Sequence, residues 1–262
     1  MARIDPKITF LFHKGFQARS TDNLKNLASV KIIPVFIGNA IGGKFFPLVR
    51  IIDYHIHTSF SDGMFSPRDM ILAAAERGIQ EVCITDHHSV WKPALSDIDF
   101  EDYFTTLDRI RSHLSLGTKV FIGIEVDLSS IDSFDMLREF SWDLVLFEYV
   151  FAQPEWEDRL QTVLNFKKKY PHYNLGLAHT RFTRVPESKM EYVFEKIREF
   201  EIIIELNTGY GNYMDKWFNY LDDAFWFSIG SDAHHKDSLG NTTLAINFLK
   251  ERGIPLNRIV KL

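Results

Sequence analysis

Seven short apolar runs, each followed by a stretch of helical spacing, constrain this chain more than any other feature. The runs are 50–57, Glu81–Thr85, Lys119–Val126, Asp143–Val150, Asn174–Ala178, Ile202–Leu206 and Phe225–Ile229. They are continuously apolar rather than alternating, the pattern of strands buried on both faces. The helical stretches are 66–78, Glu101–Leu114, Ile131–Phe140, Glu155–Lys169, Glu187–Phe200, 212–222 and Leu239–Arg252. The first carries its own start and stop signals: Ser66 as N-cap, Pro67 at the first helical position, Asp69 completing a capping box, and Gly78 as terminator. Such alternation predicts an α/β fold with a parallel sheet covered by helices. A closed (β/α) barrel is the first choice and an open doubly wound sheet the second.

The length of 262 residues accommodates one large barrel or two small domains. A net charge of −5 argues against a protein that coats nucleic acid, though not against a small anionic substrate. Cys83 is the only cysteine, so no intrachain disulfide can form; this fits a reducing, cytoplasmic setting, and an apolar strand makes it a core residue. No apolar run reaches the ~18 residues of a membrane helix. The nearest, Ile32–Gly43, is broken by Pro34, Gly38 and Asn39. Residues 1–48 hold no clean period and read as a weakly packed appendage. A second hypothesis makes Val49 a misread alternative start, with the domain occupying 49–262. An intact peptide from residues 20–40 in the mass spectrum of the native protein would sink that idea.

Chemistry collects where the runs end. His55 and His57, then Asp62, follow the first; Asp86 and His87 the second; Glu125 closes the third; His179 follows the fifth; Asp232 and His234 the seventh. Residues i and i+2 of a strand share a face, so His55 and His57 present two imidazoles to one side. In parallel α/β folds all strand C-termini open on one face, where active sites lie. Each residue alone has a plainer reading: Asp86 as a helix cap, His179 as a hydrogen-bonded core histidine. The whole set at strand ends points to a metal site. Imidazole and carboxylate without thiolate suit manganese, iron or zinc better than an all-oxygen magnesium site.

These residues carry a resemblance. Asp53-Tyr54-His55-Ile56-His57-Thr58 with Ser61-Asp62-Gly63, Ile84-Thr85-Asp86-His87, Gly123-Ile124-Glu125, Ala178-His179 and Gly230-Ser231-Asp232-Ala233-His234 occur in the order of the polymerase-and-histidinol-phosphatase (PHP) family. The chain is similar to these metal-dependent phosphoesterases over residues 50–235. The resemblance implies a distorted (β/α)7 TIM-like barrel with two or three divalent metal ions at its mouth (Mn, Zn, Fe or Mg). It implies one metal on His55, His57, Glu125 and Asp232, a second on Asp62, His87 and His234, and a third reached by Glu125 and His179. The sequence departs from the family after the fourth strand, where relatives place a histidine and this chain has Glu148. Glu148 then replaces it as an oxygen ligand, or the third metal is weak or absent and Glu148 is a solvated or ion-paired strand-end residue. Relatives also often place a proline after the late histidine, where this chain has Thr180.

The implied reaction is hydrolysis of a phosphate ester by a metal-activated water. Arg181 is the first choice for binding phosphate, since a guanidinium can do so bidentately. Arg184, His88, His235 and Lys236 lie beside ligand positions as phosphate contacts or proton donors to the leaving group. Asp86 is expected to orient a ligand histidine, and Asn207 to sit at the mouth or form its turn. The expected partner is a small phosphorylated metabolite or nucleotide, histidinol phosphate among them, with no membrane and no stably bound nucleic acid. Two rivals stand beside this reading: an amidohydrolase-type C–N hydrolase, and a non-catalytic metal-binding module. The aromatic residues around Trp217, Phe218, Phe225 and Trp226 suit a pocket, a dimer patch or ordinary core packing.

Overall fold

The computed structural model describes residues 51–96, 99–113, 117–130 and 134–262. The readings made on residues 1–48, on Arg50, on Leu114 and on 131–133 lie outside the described residues.

The apolar runs form parallel strands: β1 (Ile52–Ile56), β2 (Glu81–Ile84), β3 (His87–His88), β4 (Lys119–Asp127), β5 (Leu144–Glu148), β6 (Leu175–Leu177), β7 (Ile203–Asn207) and β8 (Phe227–Gly230). They pair in the order β1-β2-β4-β5-β6-β7-β8, and the two-residue β3 pairs with β4. The two edges then meet. Ile56 bridges Ala233, and His57 N donates to Ala233 O at 3.0 Å. The sheet is therefore nearly closed into a barrel, and the doubly wound alternative is set aside. Closure leaves the C-terminal ends of all strands on one rim.

Helices α1 (Pro67–Glu76), α2 (Phe100–His113), α3 (Trp156–Lys169), α4 (Met190–Glu199) and α5 (Thr243–Glu251) alternate with the strands. The α1 start follows its sequence signals: Ser66 Oγ accepts from Asp69 N at 3.2 Å and donates to the Asp69 carboxylate at 2.7 Å. Two other expected helices are shorter than expected. The 131–140 stretch holds a 3₁₀ turn at Asp135–Glu139, and 212–222 holds two, Asn212–Met214 and Lys216–Tyr220. Between these last two, Asp215 is extended and its side chain accepts from Trp217 N at 3.1 Å, starting a new turn instead of continuing the first.

Packing follows the sequence pattern. Residues of β1, β5, β7 and β8 are buried throughout, Trp217, Phe218 and Phe225 join the core, and Trp226 packs against it. Two polar clasps set the rim. Tyr103 on α2 donates to Gly123 O at 3.0 Å or Ile84 O at 3.2 Å and accepts from Asp86 N at 3.3 Å, bracing the gap between β2 and β4. Asp53 accepts from Ser231 N (2.9 Å), Ser231 Oγ (2.6 Å) and Gly240 N (2.8 Å), tying β1 to the segment after β8.

Candidate metal centre

The rim brings together side chains far apart in sequence. His55 and His57, two residues apart on β1 and its exit, have ring centroids 4.9 Å apart. The His57 ring stacks on His234 at 4.2 Å and lies 4.3 Å from His87. Glu125 sits at the middle. Its Oε2 is 2.6 Å from His87 Nδ1, 3.4 Å from His55 Nε2 and 3.5 Å from His57 Nε2, while Oε1 is 2.9 Å from His179 Nε2. Asp232 Oδ1 is 2.9 Å from His57 Nε2, and Asp62 Oδ1 is 3.0 Å from His234 Nε2.

Three groups of donor atoms lie within 4.8 Å of one another: His57, Asp62, His87 and His234; His55, His57 and Asp232; and His87, Glu125 and Glu148. Donors about 2.0–2.2 Å from one ion can be spaced this way. His57 belongs to two groups, with Nε2 toward Asp232 and Nδ1 toward Asp62. His179 Nε2 is 2.9 Å from Glu125 Oε1 and 3.9 Å from Glu148 Oε2.

The residues fit metal ions. Among the described residues, six buried side-chain polar atoms make no hydrogen bond of good geometry, and five line this pocket: His57 Nδ1, His87 Nδ1, Glu125 Oε2, Glu148 Oε1 and Asp232 Oδ1. Three of these have an ionic neighbour instead, His87 Nδ1 with Glu125 Oε2 at 2.6 Å, Asp232 Oδ1 with His57 Nε2 at 2.9 Å and Glu148 Oε1 with Lys92 Nζ at 2.5 Å. Buried polar atoms are ordinarily well satisfied, so poorly satisfied imidazole and carboxylate donors concentrated in one place fit a shared cation. Backbone geometry agrees. Tyr149, His179 and Asp232 all have positive φ (61°, 29° and 55°) at strand exits of this rim. Non-glycine residues hold such angles where surrounding structure imposes them, often at functional sites. Gly230 is needed for space: a Cβ there would collide with Glu205 and His55.

Electrostatics reinforce this. Burial opposes ionisation of Asp62, Glu125 and Asp232, yet neighbouring imidazoles hold all three carboxyls below their ordinary range. Burial lowers His57 to about 4, so it is neutral and ready to ligate. Burial would also lower His87, but Glu125 and Asp62 carry it up to about 10. Without metal, His87 therefore keeps its proton at neutral pH, and a metal must displace it. Affinity should fall on acidification. Calorimetric titrations with Mn²⁺ at pH 7 in two buffers of different ionisation enthalpy should show release of about one proton or more per chain; heats independent of the buffer would refute this.

Several expected site residues stand elsewhere. Asp86 is fully buried and spends its oxygens on Thr58 N (2.6 Å), Thr58 Oγ1 (2.7 Å) and Ser61 Oγ (2.6 Å). It shapes the loop carrying Asp62, and its charge acts on neighbouring His87. His88 is corrected too: strand alternation turns it away from His87, onto Leu95 O at 3.0 Å and against the Phe100 ring. His235 and Lys236 pack on Phe65, and Arg184 is exposed. Arg181 is at the rim, donating to Tyr210 O at 2.7 Å. It lines a cavity of about 200 Å³ with Tyr149, His179 and Tyr210. Asn207 serves its turn, accepting from Tyr210 N at 2.9 Å, and also donates to Glu205 at 3.1 Å.

Glu205 itself was not anticipated. Its Oε1 is 2.8 Å from His55 Nδ1 and its Oε2 accepts from His179 N at 2.5 Å. A lone carboxylate inside the apolar run Ile202–Leu206 was the available signal. Removing such an orienting partner of a ligand histidine weakens metal binding roughly 10–100-fold. Glu205→Ala should show that loss in a metal titration; an unchanged dissociation constant would leave Glu205 a packing residue only. Lys92 was also missed: its Nζ is 2.5 Å from Glu148 Oε1.

Comparison with known proteins now decides the relationship. The family model described as "PHP domain" matches residues 53–220. The chain belongs to the PHP domain family. This PHP domain is 38% identical over 212 residues to a probable histidinol-phosphatase of Thermotoga maritima, covering 72% of this chain and 87% of that one. It is 29% identical over 82 residues to the histidinol-phosphatase of Lactococcus lactis, a stretch that is 30% of either protein. A solved structure of histidinol phosphate phosphatase from Lactococcus lactis, complexed with zinc, L-histidinol and phosphate, superposes with a TM-score of 0.56 at 20% identity. It covers 79% of this chain and 95% of that one, and shows that the PHP barrel is shared. No helix among the described residues of this PHP domain is long and apolar enough to cross a membrane.

Proposed function

We propose that this PHP domain hydrolyses phosphate esters of a small metabolite or nucleotide with divalent metal ions bound at the barrel mouth. The observation that carries the reading is the cluster of buried imidazole and carboxylate donors whose atoms lie within 4.8 Å of one another. Metal would be held by His55, His57, Glu125 and Asp232 at one position and by Asp62, His87 and His234 at a second. Glu125 and His179 form a third corner, beside Glu148. When bound, the metals supply Lewis acidity toward the phosphoryl oxygens and a water nucleophile at neutral pH.

The protein groups do the rest. Asp62 and His234 are the most exposed members of the set, so substrate enters on their side. Arg181 offers a fixed guanidinium at the rim, suited to a phosphate oxygen. Tyr149 and Tyr210 wall the adjoining cavity and are placed to contact the alcohol part of the ester. In this proposal the catalytic domain runs from 49 to 262 and works in the cytoplasm, in keeping with the one buried, unpaired Cys83.

The test is to strip the protein by chelation and reload it with Mn²⁺, Zn²⁺, Fe²⁺ or Mg²⁺. Each form is assayed with p-nitrophenyl phosphate, its bis-ester, histidinol phosphate and nucleotides. Metal-dependent phosphate release, or phosphoester cleavage for the diesters, is expected. The relatives' names make histidinol phosphate the first specific candidate. Hydrolysis of amides with none of phosphates would favour the amidohydrolase alternative.

A further inference from the structure

The third corner of the centre already contains a cation. Glu148 ends β5 with its carboxylate facing the pocket, 3.5 Å from His87 Nδ1 and 3.9 Å from His179 Nε2. Its Oε1 has Lys92 Nζ 2.5 Å away. A divalent ion on that oxygen would need about the same place, roughly 2.0–2.2 Å out. Two cations cannot share it in a buried site without strong repulsion.

The segment delivering Lys92 is firmly built. Leu95 N donates to His87 O at 2.7 Å, Ser89 Oγ to Asp127 at 2.8 Å, and Val90 N to Ser130 Oγ at 3.2 Å. The Lys92 ammonium also lies 5.4 Å from the centroid of the Tyr149 ring, the residue that follows Glu148. Both ends of the pair are thus fixed, one by strand β5 and one by the loop after β3.

We infer that Lys92 is the third cation of this centre: its ammonium, held by Glu148, takes the place of a third metal, so the centre is dinuclear. Glu148 is then the counter-ion of Lys92 rather than a metal ligand. An ammonium has three donors, so while one engages Glu148 the others are available to a phosphoryl oxygen. The charge a third metal would supply comes from the chain itself. This rests on the metal-centre reading above, and its test reads metal content rather than turnover.

The full-length protein is stripped, saturated with Mn²⁺, freed of excess by gel filtration and analysed for bound metal by mass spectrometry. Wild type should hold two ions per chain. Lys92→Met removes the charge, frees Glu148 and should raise the count to three. Lys92→Arg keeps the cation and should stay at two, and circular dichroism checks that both variants are folded. Three ions in wild type would overturn the inference, as would a folded Lys92→Met protein that stays at two. Should Lys92→Met fail to fold, the wild-type count decides, with two ions supporting the inference. Three ions with phosphate esters still hydrolysed would sink the role of Lys92 alone. Two ions with no ester hydrolysed would sink the proposed reaction alone.

Discussion

Glu125→Gln should strip the centre of bound metal and lower kcat/KM for a phosphate ester by roughly 10³-fold, the few kcal/mol that Lewis-acid stabilisation supplies. The reason is geometric. Glu125 is wholly buried, and its two oxygens face His55, His57 and His87 on one side and His179 on the other. Glutamine keeps the shape but loses the negative charge and turns one acceptor into a donor. An NH₂ group would then face imidazole nitrogens, and a bound cation would lose its central anion. Metal content by mass spectrometry and turnover should fall together. Full metal content with wild-type turnover would mean that Glu125 is not a ligand.

Asp53→Ala should be the most destabilising change that touches no donor atom of the centre. The substitution leaves Ser231 N and Gly240 N without their acceptor, both at the seam where the barrel closes. Loss of hydrogen bonds to a buried carboxylate, with donors left unsatisfied, costs about 3–4 kcal/mol. For a domain of this size that is about a 10 °C fall in Tm. The effect also depends on pH. Burial pushes the Asp53 carboxyl up to about 6, against the lowering pull of its hydrogen bonds. That lies above the unfolded value of ~3.9, so the protonated group favours the fold. This stabilisation is complete below the unfolded pKa and is lost as pH rises through about 6. The penalty of Asp53→Ala should therefore be larger at pH 5 than at pH 7.5, by about 1 kcal/mol. Melting curves at the two pH values read both effects; a Tm unchanged at pH 5 would show that the clasp does not hold the barrel shut.

The barrel was legible because its strands are continuous apolar runs and their turns carry ordinary signals. Ser66, Pro67 and Gly78 announced α1 at both ends. Most of the pocket was legible for a related reason. Parallel strands deliver their ends to one rim, so His55, Glu125, His179 and Asp232 had to be neighbours once the strands were assigned. What could not be read were contacts made across the fold by residues with no periodic signature. Lys92 lies in a loop, and nothing near it in sequence announces that Glu148 is its partner 2.5 Å away. His88 misled because sequence adjacency to His87 was taken as spatial adjacency. Strand alternation puts His88 on the opposite face, and Asp86 is drawn inward by Thr58 and Ser61. The 3₁₀ turns at 212–220 looked helical because their apolar spacing is the same over so short a span.

The most direct measurement is anomalous scattering from a crystal of the Mn²⁺-loaded protein. It should show one peak among His55, His57, Glu125 and Asp232 and another among Asp62, His87 and His234. Peaks confined to the outer surface, or none within coordination distance of these residues at saturating metal, would contradict the claim that the strand ends assemble a metal centre.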